Sequence, residues 1–350
     1  MGSSNTPPPS FGTTPAPLDP AFRAAFLRLA GPGGVLRFDA FMDFALYDAV
    51  HGYYQRERTR VGRQAGSDFY TATSLGPIFG ELIAAACFSL LSAAGLDPAA
   101  HTFVELGAEP AGGVLSLLET TPFAACSTLR LGEELKPEGP CVVFSNELFD
   151  AQPVRRFIRR ADGWHEFGVA LAQDSGLLSD HDLGPVAEPW LPPAETTPEG
   201  YLFDAPRAAA ELAARLAAQN WHGLFVAFDY GKTFAALAAE TPQGTARAYR
   251  LHTQHNDLLA HPGEQDLTAD VCWDWLAAAL AIGGCLEPRV ESQEAFFVHH
   301  AGPWIAASLA RESSGASSPR KRALMHLLHP AQMGQKFQVL HALKPTSNGR

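Results

Sequence analysis

Thr102-Phe103-Val104-Glu105-Leu106-Gly107 is a short apolar run that ends at a glycine, and an apolar stretch from Val114 to Leu118 lies just beyond a small-residue turn. A run of this length bounded by glycine suits a buried strand, and the stretch after it suits the helix of a strand–turn–helix unit. Glycine at the turn lets the backbone approach a ligand closely, and a helix start offers free N–H groups. The turn holds no Gly-Lys-Ser/Thr, which argues against a P-loop, and no Gly-x-Gly-x-x-Gly, which leaves a standard dinucleotide site unsupported.

Working outward, a second buried strand is expected at Cys141–Ser145 and a third at Leu224–Phe228, ending at Asp229. An Ala-rich helix, Ala208 to Gln219, precedes the third, and a helix from Asp270 to Ala281 follows it. Ala295–His299 and Phe337–Leu343 read as late strands. Upstream, Asp19-Pro20 is a helix start, and apolar residues at 38, 41, 42, 45 and 46 keep helical spacing. His51 to Asp68 reads as a loop and Pro77 to Ala94 as a long helix. Residues 151–205 alternate polar with apolar, carry Asp162-Gly163 and turn Pro-rich, which suggests a hairpin plus a loop. The expected organisation is a disordered tail (1–20), an N-terminal helical and lid region (21–100) and an α/β core (101–350) with an insertion at about 151–205. Strands alternating with helices predict a mostly parallel sheet covered on both faces, with an antiparallel C-terminal edge.

Composition narrows the function. The chain has 350 residues, 46% hydrophobic and 18% charged, enough for a sizeable core and too few charges for a disordered chain. Lys plus Arg is 26 and Asp plus Glu is 37, so the net charge is −11. Nucleic acid is a poor partner for such a chain, because phosphate neutralisation supplies most of that affinity; a basic protein or a cationic cofactor fits better. Five cysteines without a CxxC pair read as small buried hydrophobes in a reducing compartment. No apolar run is long enough to span a bilayer. The first twenty residues lack the charged and apolar regions of a signal peptide. Met1-Gly2 to Thr6 fits the loose myristoylation pattern but reads as flexible tail. A cytoplasmic location is the resulting default. Homo-oligomerisation is left open.

In an open parallel sheet, ligands bind beyond the carboxyl ends of the strands. Three such ends are polar here: Glu105-Leu106-Gly107, Asn146-Glu147-Leu148-Phe149-Asp150 and Asp229-Tyr230-Gly231. His252 and His255, His326 and His329, and His299-His300 raise the question of a metal. None sits beside a carboxylate or cysteine set of convincing spacing, so no metal site is expected. Arg159-Arg160 and Arg320-Lys321-Arg322 read as solvated surface.

The ordered set of segments resembles one family. Phe41–Tyr54, Gly66–Ala72 with Phe79-Gly80-Glu81, Val104–Gly107, Asn146–Val154, Asp229-Tyr230-Gly231, Arg247–His252, Pro262–Val271 and Met333–Leu340 are similar, in that order, to motifs of the MidA-like methyltransferases. The mitochondrial member of that family assists respiratory complex I assembly. The resemblance implies a class I methyltransferase (Rossmann-like) fold, S-adenosylmethionine as methyl donor and arginine side chains of a partner protein as substrate. It places Glu105, Gly107 and Gly112 at the cofactor, with Asp68, Phe69 and Thr71 as a lid over it; otherwise Glu105 simply bonds neighbouring backbone and Asp68 sits in an ordinary turn. Methyl transfer from a sulfonium is a direct displacement, so the protein mainly aligns the reactants and excludes water. A guanidinium has a pKa above about 12 and needs carboxylates to orient it and draw charge away. Glu147 and Asp150 suit that role, Asn146 suits holding acceptor or cofactor, and Phe149 suits an apolar wall. Otherwise Asn146 and Asp150 cap the following turn.

Two departures favour a rival reading, a catalytically impaired scaffold. The family's Glu-Leu-Gly-Pro-Gly-x-Gly loop here reads Glu105-Leu106-Gly107-Ala108-Glu109-Pro110-Ala111-Gly112-Gly113. The segment between Gly113 and Asn146 is also short, leaving Leu129-Arg130-Leu131 as the visible second strand and Glu133 or Glu134 as substitutes for the acid that grips the ribose. A nucleotide-dependent oxidoreductase is a third reading without a fingerprint.

Overall fold

The computed structural model describes residues 18–55, 76–108, 112–130, 135–172, 175–251, 253–311 and 318–346. Helix α1 (Pro20–Ala30) starts where the Asp19 carboxylate accepts the Ala21 N–H at 2.9 Å and Pro20 fills a position that needs no N–H. Strand β1 (Val35–Arg37) leads into α2 (Phe38–Tyr47), which buries Phe38, Phe41, Met42, Ala45 and Leu46 at helical spacing. Helix α3 (Pro77–Ala93) is followed by β2 (Thr102–Leu106), β3 (Ala125–Leu129) and β4 (Gly139–Asn146). The insertion contributes β5 (Arg155–Arg160), β6 (Gly163–Leu171), β7 (Leu178–Val186) and β8 (Leu202–Ala205). Helix α4 (Arg207–Ala217), β9 (Trp221–Asp229), β10 (Gly231–Lys232) and α5 (Phe234–Ala239) return the chain to the core. Short strands β11 (Arg247–Arg250), β12 (Thr253–His255), β13 (Asp266–Thr268) and β14 (Val271–Cys272) precede α6 (Trp273–Ile282). The chain then forms β15 (Leu286–Ser292), α7 (Gln293–Arg311), α8 (Pro319–Leu328) and β16 (Gln338–Lys344).

The main sheet has the order β15-β16-β9-β4-β2-β3. β2, β3, β4 and β9 are parallel to one another, whereas β16 runs antiparallel between β9 and β15. The antiparallel strand thus lies one place in from the edge. Val142, Phe144, Leu224, Val226 and Phe228 face α3, α7 and α8. Val143, Phe225 and Ala227 face α4 and α6. Each buried side chain of this size contributes about 1.5–3 kcal/mol, and burial of both faces explains why β4 and β9 read as unbroken apolar runs. Register sets Leu106 opposite Leu129 and Ser145, and Asn146 opposite Phe228. The tips of β2, β4 and β9 therefore share one rim, at the point where the chain order reverses beside β2.

Five sequence expectations need correction. Val114–Leu118 is not a helix: Ser116 N–H reaches Gly113 O and Leu118 N–H reaches Leu115 O, giving successive turns. The N-terminal α3 packs against those turns. The second strand is Ala125–Leu129 rather than Leu129–Leu131; as an exposed edge strand it has no apolar run to reveal it. Ala295–His299 lies inside α7, where the Ser292 hydroxyl accepts the Ala295 N–H and Phe296, Phe297 and Ala301 form the buried face. The insertion is larger than a hairpin: β6, β5 and β8 form an antiparallel sheet that also takes in β7 and the N-terminal β1. Arg320 is likewise not simply solvated, since it pairs with Glu81 and ties α8 to α3.

Gly80 shows how closely α3 approaches. A Cβ there would lie 2.3 Å from the Val114 carbonyl oxygen and 2.9 Å from Leu118 Cδ1. Gly80→Ala is expected to lower unfolding free energy by about 1–3 kcal/mol through overpacking. Alanine's own helix preference acts the other way by about 1 kcal/mol. Urea unfolding decides between them: a variant as stable as the parent would mean that α3 has slack against the turns.

Candidate active site

The tip of β2 is shaped by Glu105. Its buried carboxylate accepts the Val114 N–H at 2.6 Å and so folds the turns back over the strand end. A Cβ on Gly113 would sit 2.4 Å from Glu105 Oε2 and 2.7 Å from Thr128 Cγ2, so that position takes no larger residue without moving the carboxylate. Gly107 has φ +73° and donates its N–H to Leu129 O at 2.8 Å, which fixes the turn beside the end of β3. Gly112 is exposed at the far end of the turn. Asp68, Phe69 and Thr71, the expected lid, lie outside the described residues, as do Glu109, Pro110, Glu133 and Glu134.

Burial pushes the Glu105 carboxyl up to about 7, with the Val114 hydrogen bond acting the other way. Its folded pKa is thus raised above the unfolded value. The stabilisation from the neutral form is complete below about 4.5 and is lost as pH rises through about 7. At about 1.4 kcal/mol per pH unit, this amounts to about 3 kcal/mol across that window. Denaturant unfolding should therefore show stability of the ligand-free protein falling between pH 5 and pH 8, with a smaller fall in Glu105→Gln. Equal slopes in the two proteins would remove Glu105 as a cause.

The tip of β4 carries the second half of the site. Glu147 has φ +53°, a conformation unusual for a side chain with a Cβ. Its N–H donates to Phe228 O at 3.0 Å, and its carboxylate accepts the Asn146 side-chain amide at 3.0 Å. Asp229, wholly buried at the end of β9, accepts N–H bonds from Phe149 (2.9 Å), Asp150 (3.3 Å) and Tyr230 (2.9 Å). It is therefore the anchor of the Asn146–Asp150 turn. Asn146 Oδ1 and Asp150 Oδ1 are buried with no hydrogen-bond partner, so neither atom is engaged in capping. Phe149 is buried against Phe225. It packs within the sheet–helix core on the α4 side, which is where the expected apolar wall ends up.

Other segments converge on the same turn. Burial raises the Asp150 carboxyl, and the nearby Asp229, Glu147 and Asp266 raise it further against the opposing pull of Arg247. Asp229 is pushed up to about 7 by burial, against its backbone hydrogen bonds. Tyr54 donates to Asp266 Oδ1 at 2.9 Å, and Tyr47 donates to Ala151 O at 2.8 Å. The two rings stack with centroids 5.4 Å apart. Burial, then Glu147 and Asp150, raises the Tyr230 hydroxyl. Arg247 is paired with Asp270. Glu147, Asp150, Asp229 and Asp266 thus form an acidic group faced by tyrosines. Asp266, Tyr47 and Tyr54 were not singled out from the sequence, although each lies in a motif quoted above. Asp229 was noted only as a strand end.

Known proteins give the same picture. Residues 128–288 match a family described as S-adenosyl-L-methionine-dependent methyltransferase. The mitochondrial protein arginine methyltransferase NDUFAF7 of Xenopus laevis is 26% identical over 370 residues, covering 87% of this chain and 80% of that protein. The Danio rerio protein of the same name is 28% identical, covering 89% and 84%. A Burkholderia thailandensis protein solved with S-adenosyl-homocysteine bound superposes with a TM-score of 0.78 at 27% identity, covering 93% of this chain and 92% of that one. These relatives overturn the cytoplasmic default, since the animal proteins are named as mitochondrial. Composition and the lack of a secretory signal pattern carry no information on that choice of compartment. The order of the main sheet, the converging motifs and these matches agree: the chain is a class I S-adenosylmethionine-dependent methyltransferase that is similar to the MidA-like proteins.

Proposed function

We propose that this methyltransferase modifies arginine side chains of a protein substrate, with the acceptor held at the Asn146–Asp150 turn and the cofactor beside Gly107. The observation that carries the reading is the acidic group of Glu147, Asp150, Asp229 and Asp266 faced by Tyr47, Tyr54 and Tyr230. A guanidinium is a planar cation that binds carboxylates and aromatic faces. The names of the animal relatives support the same acceptor, and the family resemblance links the reaction to respiratory complex assembly.

The residues present also fit the cofactor. Gly107 has no Cβ to crowd the strand tip and holds a positive φ that favours glycine, and the buried, unpartnered Asn146 Oδ1 offers an acceptor to a cationic ligand. Bound S-adenosylmethionine supplies an electrophilic methyl group on a sulfonium. Glu105 shapes the turn that receives it through the bond to Val114, and Gly107 and Gly112 bracket that turn. Glu147 orients the acceptor and draws charge toward the nitrogens that are not methylated. Asp150, raised by burial and the neighbouring carboxylates, ionises when a guanidinium binds beside it and is then available to take the proton released on methylation. Asp229 acts by holding the turn.

The test is to incubate the protein with methyl-labelled S-adenosylmethionine and a mitochondrial extract and to locate the label by mass spectrometry. Label on arginine ω-nitrogens is expected. Label confined to lysine, or to small molecules, would refute the acceptor assignment while leaving the methyltransferase reading in place.

A further inference from the structure

Away from the methyl-transfer rim, the structure assigns a second site: Glu291, His300 and His341 form a binding site for a divalent transition-metal ion, zinc foremost, that pins the β15 edge of the main sheet to helix α7. Glu291 lies on β15 opposite Val339 of β16, and His341 lies two residues further along β16, opposite Arg289. Residues so related are diagonal neighbours on one face of an antiparallel pair. Helix α7 crosses that face and brings His300 onto the same carboxylate, with His299 alongside. His299-His300 raises the question of a metal in the sequence but has no ligand set beside it there, because Glu291 and His341 lie 9 and 41 residues from His300 and join it only through the strand register.

The geometry is that of a ligand set. Glu291 Oε2 lies 3.0 Å from His300 Nε2 and 3.1 Å from His341 Nε2. Glu291 Oε1 lies 2.5 Å from His299 Nδ1. One atom from each of Glu291, His300 and His341 falls within 4.8 Å of the others. Bonds of about 2.0–2.1 Å to tetrahedral zinc set ligand atoms about 3.3 Å apart, so small side-chain shifts suffice. Two imidazoles and one carboxylate suit zinc, cobalt or nickel better than calcium or magnesium, which prefer all-oxygen sets. The Glu291, His300 and His341 side chains are 19%, 22% and 8% exposed, closed enough to hold an ion and open enough to admit one. A cavity of about 570 Å³, lined by these residues with Arg289, Val290 and His299, leaves room for water as a further ligand.

A neutral imidazole facing an ionised carboxylate donates its Nε2 proton. Binding a metal moves that proton to Nδ1 and leaves the Nε2 lone pair for the ion.

The experiment uses full-length protein, stripped of metal and free of any histidine tag. Titration with cobalt(II) is expected to give visible absorption bands of a low-symmetry four-coordinate ion, saturating near one equivalent and bleached by zinc. The melting temperature should rise with zinc concentration. His300→Gln changes a partly exposed residue and keeps the fold, so it carries the test should His341→Gln fail to fold. It should weaken cobalt affinity at least about tenfold. No band together with no zinc-dependent rise would overturn the proposal, leaving a metal-free hydrogen-bonded cluster. Unchanged affinity in His300→Gln would overturn it too, placing the ion elsewhere.

Discussion

Glu147→Gln should cut methyl transfer by about 10²–10³-fold, the usual cost of removing one preorganised electrostatic contact to the reacting centre. The fold should survive. Glutamine has the same shape, its carbonyl can still accept the Asn146 amide, and the backbone bond from residue 147 to Phe228 O is untouched. Stability should not fall, because Glu147 is one of the charges that raise Asp150, and its neutralisation relieves that repulsion. The positive φ at 147 is an expected cost of order 1–2 kcal/mol, tolerated where the turn aims a side chain at the rim. The measurement is kcat with labelled methyl donor, alongside cofactor affinity and a thermal melt. Loss of kcat with cofactor affinity unchanged fits a residue that acts on the acceptor. A matching loss of cofactor affinity would move Glu147 to the donor side, and full activity would remove it from the reaction.

The second large effect concerns stability. Asp229→Ala deletes one acceptor for three backbone N–H groups in a wholly buried place. Each buried donor left unsatisfied costs about 1–3 kcal/mol, so a loss of at least about 3 kcal/mol in unfolding free energy is expected. Activity should fall with it, because the Asn146–Asp150 turn loses its tether. Asp229→Asn keeps one carbonyl acceptor and removes a buried carboxylate whose pKa is already pushed up to about 7, so it should lose far less. If Asp229→Ala unfolds at the same denaturant concentration as the parent, the turn is held by something else.

Much of this arrangement was legible before any coordinates. β4 and β9 announced themselves because a sheet covered on both faces needs an unbroken apolar run, and α2 because its apolar residues recur at helical spacing. The polar tips of those strands pointed to Asn146, Glu147 and Asp150. What stayed hidden has physical reasons. β3 (Ala-Cys-Ser-Thr-Leu) and β15 (Leu-Glu-Pro-Arg-Val-Glu-Ser) are exposed edge strands, and an edge strand need not be apolar. Phe296-Phe297-Val298 has strand-like composition, but the Ser292 cap and the α3 contact make it helix. Val114–Leu118 has helix-like composition, but Glu105 takes the Val114 N–H and α3 fills the adjoining groove. The role of Asp229 depends on partners 79 and 80 residues away, which no local pattern encodes.

The altered glycine loop makes cofactor binding the central point. Calorimetric titration of the full chain with S-adenosyl-homocysteine, repeated on Gly107→Val with a melt to confirm its fold, addresses it most directly. One site of micromolar affinity in the parent, lost in a variant that still melts cooperatively, is the result expected of a ligand seated against the β2 tip. No heat from the parent, or the same affinity in folded Gly107→Val, would contradict it and return the chain to the reading of a methyltransferase shape serving as a scaffold.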